Sequence, residues 1–131
     1  MKDRASVLCI RDNRILLVAR ERSRWALPGG RIRRGEAPRD GAFRELEEET
    51  TLVANDLFYL FQFSGLNTRH QVFFAEIEHH AAARASNEIA KCKWFSLAKI
   101  PTLSASVPTR EITDLFFRRI GISGPQTVRS P

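Results

Sequence analysis

GRIRRGEAPRDGAFRELEEETTL, residues 30–52, holds the stretch that decides the fold, because four glutamates crowd into RELEEET, Arg44 to Thr50. Proline is tolerated in the first turn of a helix, where its missing N–H has no partner to lose, so the spacing predicts a helix from Pro38 to Thr50. At 100° per residue Glu45, Glu48 and Glu49 share an arc of about 100°, while Glu47 points elsewhere. Ala42, Phe43, Leu46 and Thr50 make a separate face, expected to be the buried one. Like charges at i,i+4, as in Glu45 and Glu49, cost an isolated helix a few tenths of a kcal/mol. Two explanations stay open on the glutamates alone: a solvated acidic face, or carboxylates converging on a hard divalent cation that prefers oxygen ligands.

Outward from this helix the chain alternates short apolar runs with turn signals. RASVLCI (4–10) and RILLVAR (14–20) read as two strands joined at Asn13, a hairpin, and LPGG (27–30) reads as a break. LFYLFQFSG (57–65), HQVFFAEIE (70–78) and KCKWFSL (91–97) read as three more strands. In the second of these, Val72 and Phe74 face one way and Phe73, Ala75 and Ile77 the other, so that strand is expected to be covered on both sides. PTREITDLFFRRIG (108–121) reads as an amphipathic helix capped by Thr109, with Ile112, Leu115, Phe116 and Ile120 on its apolar side. Residues 1–121 are expected to form one domain, and 122–131 a flexible tail with too little apolar content to fold alone.

Composition narrows the classes. A chain of 131 residues, 43% hydrophobic, is long enough for a core of its own. No apolar run is long enough for a membrane span, and MKDRASVLCI lacks the apolar region of a secretory signal, so a cytoplasmic setting is expected. Cys9 and Cys92 lie among β-type residues without C-x-x-C spacing and read as reduced thiols. Seventeen of the 21 basic residues are arginine, and the formal net charge is +6. That points to a partner rich in phosphate, a phosphorylated small molecule or a nucleic acid, with plain surface charge left open as the alternative.

From Gly30 to Leu52 the chain closely resembles the signature of the Nudix hydrolase family, GX5EX7REUXEEXGU with U aliphatic. Gly30, Glu36, Arg44, Glu45, Leu46, Glu48, Glu49 and Leu52 match, eight of the nine defined positions; the ninth, a glycine in the family, is Thr51. WALPGG before the motif and the element order after it extend the resemblance over about residues 4–120. It implies an α+β Nudix fold, an α/β/α sandwich with a mixed sheet. It also implies hydrolysis of the diphosphate linkage in a nucleoside diphosphate joined to another group, with Mg²⁺ or Mn²⁺ as cofactor.

By the same resemblance Glu48 and Glu49 are the principal metal ligands, Glu45 is a further ligand or the base that takes the proton from water, and Arg44 orients the carboxylates. Glu36 is structural, and Gly29 and Gly30 are expected to let the backbone turn tightly. A downstream glutamate is also expected, Glu88 ahead of Glu76 and Glu78. Arg31, Arg33 and Arg34 stand at the mouth of the motif and are candidates for substrate phosphates, with surface charge as the alternative. His70, His79 and His80 do not make a metal set. Phe61, Phe63 and Phe73 read as core more readily than as base-stacking residues.

A glycine just past a helix usually supplies a left-handed turn, and a β-branched residue forced into it is strained by roughly 1 kcal/mol or more, so at Thr51 either that strain is borne or the local turn is different. The expected partner is a phosphorylated small molecule, a nucleotide, with no membrane and no nucleic acid. Homodimer formation stays open. The alternatives are a catalytically silent Nudix-type module binding a nucleotide or RNA, and nucleic-acid binding driven by charge alone, against which the glutamates argue because they repel phosphate without a metal.

Overall fold

The protein is described by a computed structural model covering residues 1–121; the expected tail, 122–131, lies outside the described residues. The chain runs through strands β1 (Lys2–Arg11), β2 (Arg14–Ala19) and β3 (Gly29–Arg31), then helix α1 (Pro38–Thr50). Strands β4 (Asp56–Ser64), β5 (Thr68–Glu76) and β6 (Lys91–Ser96), a 3₁₀ helix (Leu97–Thr102) and helix α2 (Val107–Arg119) follow. The strand order is β4-β5-β1-β2-β6, with β3 added on β1. Only the β1–β5 pairing is parallel, so the sheet is mixed.

Each face of the sheet carries a helix, because the central strands are apolar on both sides. Ala5, Val7 and Cys9 of β1 pack with Phe73 and Ala75 of β5 against Ala42 and Leu46 of α1. Leu8, Ile15, Leu17 and Val72 pack on the opposite face with Ile112, Phe116 and Phe117 of α2. This is the two-sided burial expected of β5. The hairpin between β1 and β2 turns on Asp12 and Asn13, both left-handed at φ 53° and 62°, which a two-residue turn of this hand requires.

One topological detail positions the functional site. A single edge of β1 is shared: Arg4, Ala5 and Ser6 pair with β3, whereas Ile10 and Arg11 pair with β2. The sheet therefore forks, and the segment entering β3 bridges the fork. Ala26 exchanges backbone hydrogen bonds with Val18 of β2 (2.8 and 2.9 Å), and the Val7 amide donates to Pro28 O (2.9 Å). Trp25 bonds the backbone of Ser104 and Ser106 beside α2.

Three expectations change. The LPGG segment is a break only at its start, since Gly29 and Gly30 are buried in β3 instead of making a tight turn. Their need for glycine is close approach: a Cβ on Gly29 would collide with the backbone of Ala5, and one on Gly30 would lie 2.5 Å from the Glu45 carboxyl. Helix α2 is capped by Ser106, whose Oγ accepts from the Thr109 amide at 3.3 Å. Thr109 is buried inside the first turn, and Ile120, beyond the last turn, is exposed. Finally, Thr51 adopts the left-handed conformation (φ 65°, ψ 2°) usual for a glycine just past a helix, so of the two possibilities the β-branched residue bears the strain.

Candidate active site

Helix α1 presents its carboxylates to three different surroundings. Glu49 is buried beneath β3, where its Oε1 accepts a hydrogen bond from the Gly29 amide at 3.0 Å. Glu45 lies between Gly30 and Arg44, its Oε2 2.9 Å from Arg44 Nη1. Glu48 is the most open of the three, 3.3 Å from Arg44 Nη1 and 3.7 Å from Arg33 Nη2. The common arc read from helix periodicity is therefore real, but the side chains diverge. Among the described residues no three His, Cys, Asp or Glu side chains are gathered closely enough to hold a metal ion as they stand.

Arg44 organises this array far beyond an i,i+4 surface pair. Its Nε and Nη2 donate to the two oxygens of Glu36 at 2.8 and 2.9 Å, and Nη2 also donates to Arg31 O at 3.1 Å. The Arg33 amide completes the cradle by donating to Glu36 Oε1 at 2.9 Å. Those bonds, Arg44 first and the Arg33 amide second, hold the Glu36 carboxyl down at about 2. Glu36 in turn raises Arg44 above its ordinary value, so this pair is a charged fixture.

Glu49 behaves oppositely. Burial pushes its carboxyl up to about 7, the Gly29 amide works against that rise, and the charges of Glu45 and Glu88 add to it. A buried carboxylate facing two more acidic groups gathers negative charge that Arg20 offsets only in part, and the donors are all oxygen. Mg²⁺ or Mn²⁺ fits both properties. Glu88 reaches the neighbourhood because the Ser86 amide bonds Glu49 O at 3.1 Å, which ties its loop to the end of α1. Its carboxylate is exposed and paired with Arg20 at 2.6 Å.

The arginines fall into two groups. Arg31, Arg33 and Arg34, the candidates from sequence, line a recess of about 640 Å³ together with Lys2 and Arg69. Glu49 lies instead in a trough of about 160 Å³ in the fork of the sheet, bordered by Gly29, Arg4, Arg20 and Arg24. Sequence reading missed these three arginines. The only signal for them was the basic excess of residues 1–35, which does not say which side chains meet. Arg4, Ala26 and Leu27 also line a second cavity of about 370 Å³, beside the trough, between β1, β5 and the start of α2. Ser6, His70 and Thr109 are its buried polar residues, and Leu27 and Ile112 give it apolar walls.

Comparison with known proteins agrees with the fold and the family. A model of the NUDIX domain matches residues 1–116. The mouse (Mus musculus) oxidized purine nucleoside triphosphate hydrolase is 32% identical over 103 residues, 72% of this chain and 66% of the mouse protein. A crystal structure assigned to the Nudix hydrolase family, from Chromobacterium violaceum, superposes with a TM-score of 0.81 at 28% identity, covering 90% of this chain and 77% of that one. A bifunctional NMN adenylyltransferase/ADP ribose pyrophosphatase from Francisella tularensis, complexed with AMP and a manganese ion, superposes at 0.76 with 21% identity. It shares the fold over 90% of this chain and 41% of its own. The chain belongs to the Nudix family, and it is a hydrolase of that type, in a family that works with divalent metal ions.

Proposed function

We propose that this protein hydrolyses a phosphoanhydride bond of a nucleoside triphosphate, with purine nucleotides, oxidised ones included, as the first candidates. The observation that carries the reading is adjacency: the trough holding Glu49 and three arginines shares Arg4, Ala26 and Leu27 with a nucleoside-sized cavity. Arg4, Arg20 and Arg24 are placed to bind phosphate oxygens, and the cavity to hold the base. Glu45, Glu48 and Glu49, with Glu88 as a further donor, are the residues that would hold Mg²⁺ or Mn²⁺. Such an ion neutralises phosphate oxygens and lowers the pKa of bound water. Arg44 fixes Glu45 and Glu48 in place, and Gly30 leaves room for the Glu45 carboxyl. The name of the mouse relative supports the triphosphate class. The left-handed Thr51, in the conformation usual for a glycine past a helix, supports an intact loop over a silent module.

The test is release of phosphate or diphosphate from a panel of nucleotides, with Mg²⁺, with Mn²⁺ and after chelation. Glu49→Gln and Glu48→Gln are expected to lower kcat by about a hundredfold or more. Hydrolysis that survives chelation, or an undiminished rate in both variants, overturns the reading.

A further inference from the structure

The cavity beyond Arg4 has a polar floor built from three side chains on two adjacent strands. Ser6 Oγ lies 2.9 Å from His70 Nδ1, and Thr68 Oγ1 lies 3.2 Å from His70 Nε2. The parallel register that sets Arg4 opposite His70 brings them together. Ser6 and His70 are each only 6% exposed, yet both line the cavity, as does Thr68. Burial, with the Arg4 charge second, lowers the His70 pKa below its ordinary value, so the ring is neutral near pH 7.

A neutral imidazole carries one N–H and one bare nitrogen, and here both nitrogens face a hydroxyl. With the proton on Nδ1, His70 donates to Ser6, Thr68 donates to Nε2, and the Ser6 hydrogen is left to point into the cavity. With the proton on Nε2, Ser6 donates to Nδ1, Thr68 accepts, and Ser6 shows the cavity only lone pairs. Both arrangements keep both hydrogen bonds. Exchange between them therefore leaves no buried polar group unpaired, which is the usual penalty for accommodating a mismatched ligand.

We propose that Ser6, set by the tautomer of His70, is the specificity-determining contact to the base, and that it presents a donor or an acceptor as the base requires. This rests on the proposed use of the cavity as the base site. Ser6 would touch the base directly, with His70 and Thr68 as positioning residues. The expected substrate class is broad: purines whose edges carry a carbonyl or an amino group at the same place, and oxidised purines whose N7 has changed from acceptor to donor. Adenine and hypoxanthine are a clean pair for the test, since position 6 is an amino donor in one and a carbonyl acceptor in the other.

The experiment records the ¹⁵N chemical shifts of His70 in the full chain, titrated without added metal with dAMP or dIMP. These products bind without turnover. The two nucleotides are expected to drive the tautomer balance in opposite directions. In Ser6→Ala neither should move it, and the KM of dATP and dITP should each rise about tenfold with kcat within about twofold. His70→Asn, which keeps a partner for Ser6 through its amide, should raise both KM values less than Ser6→Ala does. The same tautomer with both ligands, no binding of either, or an unchanged KM in Ser6→Ala overturns the inference. Opposite tautomer responses in a protein that hydrolyses no nucleotide would leave the inference standing and remove the proposed function instead.

Discussion

Glu49 Oε1 accepts the Gly29 amide proton at 3.0 Å, joining helix α1 to the short strand β3 inside the fork of the sheet. That bond fixes the least accessible carboxylate of the motif against the two glycines. It also separates what each glycine does. Gly29 is buried at φ 155° with no room for a Cβ against the Ala5 backbone, whereas the atoms nearest a Cβ on Gly30 are those of the Glu45 carboxyl, the end of a side chain that can turn away by giving up its Arg44 bond. Gly29→Ala is expected to cost about 3 kcal/mol or more of stability, the upper end for overpacking, read in urea unfolding. Gly30→Ala should stay within about 1 kcal/mol of the wild type yet lose about tenfold or more in kcat, because it displaces a carboxylate. Equal losses of stability in the two variants would contradict this division.

The Glu36–Arg44 pair predicts an acid limb. The Glu36 carboxyl is held at about 2 by Arg44 and the Arg33 amide, below the unfolded-chain value. A depressed carboxylate adds stability that is complete above the unfolded pKa, about 4.3, and is lost as pH falls through the folded one. Glu36→Gln should therefore be less stable than the wild type at pH 7, with the gap in Tm narrowing between about pH 4.5 and 2. A gap that stays constant over that window would show that the charge of Glu36 is not what counts.

How far the sequence disclosed these features depends on how local they are. Helix α1 was legible to the residue, since Pro38 and the spacing of its carboxylates and apolar positions all lie within one segment. Strand β3 was not. Gly-Gly-Arg has no strand propensity, and it becomes a strand only because Ala5 and Ser6 pair with it from across the chain. The trough arginines and the Ser6–His70 contact stayed hidden for the same reason. Arg4 and Arg20 converge only once the fork exists, and Ser6 meets His70 64 residues away through a parallel register that no periodicity encodes. Thr51 was legible as a departure from the motif, but its backbone conformation was not, since a changed turn and a strained one look alike in sequence.

His70 gives a second pH effect in a different window. Its pKa is lowered by burial and by Arg4, so the folded state holds it neutral where the unfolded chain takes up a proton. Stability from this residue is complete above about pH 6.5, the unfolded value, and declines as pH falls toward the folded value, because protons then favour the unfolded chain. Thermal melts from pH 8 to pH 5 should slope downward in the wild type and less steeply in His70→Asn. Parallel slopes would place the protonation of His70 outside the folding equilibrium.

Thr51 closes helix α1 by donating its amide proton to Glu47 O at 2.9 Å, and its φ of 65° puts Cβ where an L-residue is crowded by its own carbonyl. Its neighbour Thr50 helps hold the turn, accepting from the Leu52 amide at 3.2 Å while donating to Leu46 O at 2.7 Å. The side chain of Thr51 is exposed, so replacing it forfeits no packing. Thr51→Gly should raise stability by about 0.5 kcal/mol, the strain relieved less the extra freedom glycine gives the unfolded chain. The carboxylates already hold their places with the threonine present, so kcat should change by no more than a few-fold. Chemical unfolding checks the first expectation and a nucleotide hydrolysis assay the second. A destabilised glycine variant would mean that the left-handed turn carries no strain, and a gain of orders of magnitude in kcat would mean that the threonine turn impairs the site.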